Sequence, residues 1–108
     1  MDVLPSTEVT GLLLCRHGGD RLAFLANQVE RIELREGEKF LCAPGGEGVG
    51  VESVEVHSES VSLLPTPRLM SAGIGGSLYG FVSVSEALYP VVRVTEFARF
   101  LSRRAQTP

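Results

Sequence analysis

A chain of 108 residues supplies one small domain with one modest core, which excludes a large multidomain enzyme. At 44% hydrophobic and 21% charged, it is globular rather than disordered. Its net charge of −3 offers no general attraction to phosphate backbones, so nucleic acid is not an expected partner.

The charge is unevenly spread. Residues 1–92 hold six basic and twelve acidic side chains, a balance of −6, whereas residues 93–108 hold four arginines against Glu96, a balance of +3. The basic end reads as a solubilised helix. Two cysteines, Cys15 and Cys42, are too few for a disulfide framework and read as reduced thiols in a cytoplasmic protein. Leu12-Leu13-Leu14-Cys15 looks like a lipoprotein cleavage site, but Asp2 and Glu8 stand where basic residues belong and the apolar run is too short for a signal peptide. No stretch approaches the ~20 apolar residues of a membrane helix, so no membrane insertion is expected.

Glycine, proline and abundant valine predict short strands. Residues 1–9 read as a loose arm containing Pro5. Thr10 to Arg16 reads as a buried strand, His17-Gly18-Gly19-Asp20 as a hairpin turn and Arg21 to Leu25 as the returning strand. Leu25, Val29 and Ile32 fall at helical spacing, yet Val29 to Leu34 reads equally well as a strand after a short turn. Residues 43–50 form a glycine-rich turn. Val49 and Val51 are out of phase with Val54 and Val56, which predicts a bulge near Glu52-Ser53. Ser58, Ser60 and Ser62 mark a solvated face. Leu63-Leu64-Pro65-Thr66-Pro67 is expected to leave the sheet, and Met70 to Ser77 to form a glycine-rich loop. Gly80 to Ser85 and Leu88 to Val94 read as a hairpin turning at Glu86-Ala87, with Pro90 at a sheet edge or a bulge. The last segment is a helix capped by Thr95, with Phe97, Phe100 and Leu101 on its core face. About seven or eight strands and one helix follow, an inventory that suits small barrels.

No constellation for catalysis emerges. His17 and His57 have no sequence partner that marks a base, and with Cys15 and Cys42 they lack metal-ligand spacing. Gly46, Gly48 and Gly50 meet Val51 where a dinucleotide fingerprint needs glycine. Gly73, Gly75 and Gly76 meet Leu78 in the same way, and GxxxxGK and GxSxG are absent. Glu36 and Glu38 flank Gly37 in a turn. No catalytic residue, metal or cofactor is assigned, and a binding or scaffolding role is the default.

The order of segments resembles the CheW-like domain of bacterial chemotaxis signalling. Three stretches carry the resemblance: the opening hairpin from Leu12 into Val29-Glu30-Arg31-Ile32; Gly48-Val49-Gly50-Val51-Glu52-Ser53-Val54, running on to Pro65-Thr66-Pro67; and Leu78-Tyr79-Gly80 through Phe100-Leu101. The family's middle block, Asn-Leu-Arg-Gly followed by Pro-Val-Val-Asp-Leu, is missing between Cys42 and Gly48. The chain therefore resembles a shortened member of the kind that serves the Frz pathway.

The resemblance implies a mainly β fold, a CheW-like pair of small β-barrel subdomains with one truncated and a C-terminal helix. The domain would cover 10–102, followed by a tail over 103–108. It favours the extended reading of Val29 to Leu34. It implies a non-enzymatic, cytoplasmic adaptor that docks on the helical cytoplasmic tip of a chemoreceptor. A CheA-like kinase is a second implied partner, although the missing block removes part of what the kinase would contact. Val29 matches a receptor-binding position and Ile32 lies beside it. Val29 reads equally as core, and Ile32 reads first as core. Strand edges left by the shortened barrel offer a route to self-association. The other reading is a stand-alone small β-barrel module for a peptide or small ligand.

Overall fold

The computed structural model describes residues 7–65 and 78–106. Ten strands, a 3-10 turn and an α-helix form among them. In chain order these are β1 (Thr7–Val9), β2 (Leu12–His17), β3 (Asp20–Leu25), the turn Ala26–Gln28, β4 (Arg31–Arg35), β5 (Glu38–Cys42), β6 (Gly48–Val51), β7 (Ser53–His57), β8 (Val61–Pro65), β9 (Leu78–Val84), β10 (Ala87–Val92) and α1 (Val94–Gln106). The chain is mainly β, and its larger sheet curls into a half-barrel. That sheet has seven strands in the order β1-β8-β9-β10-β3-β2-β7, and a smaller sheet has the order β4-β5-β6.

β2 explains why the two sheets stay together. Its residues Leu12 to Cys15 form a continuous apolar run, and all four are buried. Side chains alternate across a strand, so such a run must be covered on both faces. Leu12 and Leu14 point into a cluster with Ala23, Val82, Val84 and Val91. Leu13 and Cys15 point into the main core, with Phe24, Leu41, Val49, Val51 and the helix residue Phe97. The smaller sheet and α1 thus cover one face of the larger sheet.

Tight turns set the local pairings. Gly18 and Gly19 take φ of 59° and 87°, as a two-residue hairpin requires, and join β2 to β3. Glu36 and Gly37 do the same between β4 and β5. The third such turn lies at Ser85-Glu86, one residue before the expected position, with φ of 50° and 65°. β6 and β7 are separated by Glu52 alone, and they belong to different sheets. The expected bulge is therefore a change of sheet. The phase slip of the valines arises because β6 aims Val49 and Val51 into the core from the other side. Glu52 is held at the crossing: its N–H donates to the Arg16 carbonyl at 2.8 Å, and its Oε1 accepts from Gly19 N–H at 2.9 Å.

Several expectations change. Thr7–Val9 pairs with β8 and so is not part of a loose arm; residues 1–6 lie outside the described residues. Leu63 to Pro65 stay in the sheet, because Pro65 lies opposite Gly80 at a non-hydrogen-bonded position, where the ladder to β9 asks no donor of it. Thr66, Pro67 and the expected loop Met70 to Ser77 lie outside the described residues. β10 lies inside the sheet, so Pro90 is not at an edge. The two-residue turn makes Pro90 a non-hydrogen-bonded position opposite Phe81, and its missing N–H faces β3. β3 runs parallel there and pairs through Val91 and Ala23, next to the proline. A bulge does occur one step on, between Val91 and Val92. α1 begins two residues earlier than a cap at Thr95 implies, with Phe97 N–H bonded to the Arg93 carbonyl at 2.9 Å, so Thr95 sits inside the first turn. It continues through residues 103–106, which were expected as tail.

Two core positions carry quantitative expectations. Phe97 is 6% exposed and meets Phe24 at 6.3 Å between ring centroids. Phe97→Ala is expected to cost about 3–5 kcal/mol in urea unfolding. A β-carbon on Gly80 would lie 2.1 Å from the Leu64 carbonyl oxygen. Gly80→Ala must push β8 from β9, and a loss of about 1–3 kcal/mol is expected, with amide exchange accelerating first in β8.

Candidate docking surface

The smaller sheet presents Ile32, one of the two predicted partner-binding residues. β4 pairs with β5 in the register Ile32 to Leu41 and Leu34 to Lys39, and β5 pairs with β6 through Leu41 to Val49. Cross-strand partners share a face, so Ile32, Leu41 and Val49 lie in one apolar row. Leu41 and Val49 are buried beneath the larger sheet and helix, but Ile32 is 50% exposed. Leu34, two residues on, is 72% exposed. The core face of this sheet therefore emerges at its outer strand and leaves two large apolar side chains in solvent.

Val29 behaves differently. It follows the turn Ala26–Gln28, is half-buried and packs against the main core. Ile32, read first as core, is the accessible one of the pair. Leu34 was missed, although its i, i+2 spacing from Ile32 on a strand could have found it.

The opposite face of β4 is charged. Glu33 accepts from Arg31, and from Arg35 at 2.9 Å, and Arg31 also meets Glu30 at 3.2 Å. Hydrogen bonds from Arg31 and Arg35 hold the Glu33 carboxyl below its ordinary range. Arg35 also lies over the Phe40 ring at 4.9 Å. These groups are exposed, so the ladder orients side chains more than it stabilises the fold.

The β4 end of the domain is tied to the helix. The bulge on β9 turns Tyr79 out of register, and Gln28 Nε2 donates to its hydroxyl at 2.6 Å. Gln28 Oε1 accepts from Val94 N–H at 3.4 Å, which serves one of the unpaired donors at the start of α1. Arg93 stacks on the Tyr79 ring at 3.9 Å.

A second concavity, an open groove of about 550 Å³, lies between the tip of the β2-β3 hairpin, β10 and α1. Leu22, Leu88, Pro90, Phe97, Phe100 and Leu101 supply its apolar wall, and Arg16 and Arg21 stand at its rim. His17 lines it too and meets Phe97 edge to face at 5.6 Å. Neither Val29 nor Ile32 reaches this groove.

His57 is half-buried on β7. Cys15 and Cys42 are free thiols, both buried. Among the described residues no three His, Cys, Asp or Glu side chains gather where they could hold a metal. No helix among those residues is long and apolar enough to cross a membrane. No family model, curated protein or solved structure matches the chain.

Burial pushes the Cys15 thiol up from 9.0 to about 12. The folded chain keeps a proton that the unfolded chain releases above about pH 9. This group therefore leaves stability unchanged below that pH and lowers it as pH rises toward 12, by about 1.4 kcal/mol per unit. Urea midpoints measured from pH 8 to pH 11 are expected to fall less steeply for Cys15→Ala than for the parent, and Cys15 should resist thiol reagents until unfolding.

Proposed function

We propose that this chain is a non-enzymatic adaptor of the CheW-like kind, a shortened member whose second barrel is reduced to the β4-β5-β6 sheet. The observation that carries the reading is the exposure of Ile32 and Leu34 on β4, the strand that follows Val29 and matches the family's receptor-binding element. Two neighbouring apolar side chains on a rigid sheet suit an amphipathic helix, which needs a surface for its own apolar stripe and no further backbone hydrogen bonds. The partner proposed is the helical cytoplasmic tip of a chemoreceptor. A CheA-like kinase is the weaker candidate, since the segment between Cys42 and Gly48 is only a short turn. A cytoplasmic location goes with this reading.

The groove lined by Phe97 and Leu88 favours a second reading, a small module that takes a peptide or ligand outside any receptor array. The two surfaces lie on different elements, so one experiment separates them. Ile32→Arg is expected to weaken co-elution with a receptor cytoplasmic domain at least tenfold in size-exclusion titrations, with an unchanged melting temperature. Leu88→Arg should leave that binding intact. The opposite pattern would move the docking face to the groove. Normal binding by both variants would refute the β4 assignment.

A further inference from the structure

We infer that the outer edge of β4 pairs antiparallel with β4 of a second copy of this chain, about a two-fold axis at Ile32. Among the described residues β4 hydrogen-bonds to β5 on one side and to no strand on the other. The two-residue turn at Glu36-Gly37 fixes which backbone groups are involved. Arg35 and Glu33 form hydrogen-bonded pairs with β5, so the N–H and C=O of Ile32 and Leu34 point to the open edge. A docked helix satisfies its own backbone and would leave them unpaired, whereas an extended segment would use them.

Natural sheets blunt such edges with proline, charged side chains, inward charges or very short strands. β4 has five residues and no proline, and its three charges, Arg31, Glu33 and Arg35, share the face away from the core. Its other face ends in Ile32 and Leu34, two large exposed apolar side chains two residues apart.

Charge complementarity selects the occupant and, together with the turn at Glu36, the register. With the axis at Ile32, Ile32 meets its own counterpart, Arg31 faces Glu33 of the second copy, and Glu33 faces Arg31. With the axis at Glu33, Glu33 would face Glu33 and Arg31 would face Arg35, placing like charges directly opposite. With the axis at Leu34, Ile32 would need Glu36, which is lost to the turn at a φ of 51°. Opposite charges thus meet about Ile32 and also about Leu34, and only the Ile32 register keeps clear of the turn; there Leu34 falls opposite Glu30, whose N–H donates to the Cys42 carbonyl at 2.7 Å, so the Ile32 pair carries the backbone bonding. Exposed ion pairs contribute little affinity, so they choose the register while backbone pairing and the two isoleucines hold the dimer.

The inference stands apart from the adaptor proposal and is tested on the whole chain alone. Sedimentation equilibrium of the parent from micromolar to millimolar concentration should show a reversible monomer–dimer equilibrium. Glu33→Arg, which puts like charges opposite each other twice, should weaken it at least threefold, and the double exchange Arg31→Glu with Glu33→Arg should restore it. Position is read by cross-linking, since Cys15 and Cys42 are buried. Across the axis, residue 32 lies about 5.5 Å from its counterpart, within disulfide reach, whereas residue 34 lies about 14 Å from its own. Ile32→Cys should form disulfide dimers under mild oxidation at least tenfold faster than Leu34→Cys. A parent that stays monomeric at millimolar concentration would overturn the inference. Cross-linking at position 34 equal to or faster than at 32, or failure of the double exchange to restore the dimer, would overturn it as well.

Discussion

The structure depends on one strand being dry on both sides. Leu12 to Cys15 cannot alternate between core and water, because every one of them is apolar. A four-residue run of this kind gains stability only when two separate layers close over it, at roughly 25 cal/mol for each Å² removed from water. The layer on one side is the curl of the larger sheet itself. The layer on the other is the β4-β5-β6 sheet together with α1. The smaller sheet thus exists as a cover, and its own stability is borrowed from β2.

A cover must be fixed in place as well as attracted, and polar contacts do this at its margins. Glu52 joins the sheets in one residue and ties the crossing to Arg16 and Gly19. Gln28 bridges Tyr79 and the first turn of α1. These contacts hold two or three elements at once, so they set the angle of the cover where the nonspecific apolar contacts cannot. The cover is wider than the surface beneath it. Its inner strands are dry, and its outermost strand carries the same apolar row into solvent at Ile32 and Leu34. The exposed apolar pair arises from that mismatch in width.

Much of this was legible in the residues. The hairpin at Gly18-Gly19, the core face of α1 and the β character of the chain follow from local rules: positive φ at glycine pairs, helical spacing of phenylalanine, and strand propensity. What failed needed information from outside the local window. The slip of phase at Glu52 looks the same whether a strand bulges or changes sheets. Pro90 argued for an edge, and it sits inside the sheet because its neighbour β3 runs parallel and makes its pairing one residue later. Ile32 read as core because its row is core, and only the limited width of the opposing layer leaves it wet. Whether an apolar side chain is interior or interface depends on what lies across from it, and one sequence does not state that.

The join between β3 and β10 has a consequence for how the molecule is held together. Among the described residues it is the strand pairing that joins the half of the larger sheet built from the first hairpin to the half built from the last, and it couples residues 23 and 91. Each half holds one tight hairpin, β2-β3 or β9-β10, made from near neighbours, whereas the seam, like the outer pairings β2-β7 and β1-β8, requires stretches far apart along the polymer to meet. Proline removes a rung where the zipper would otherwise start. The molecule is therefore built like a clasp: two hairpins set by adjacent residues are fastened at a seam whose two residues, Ala23 and Val91, are wholly buried.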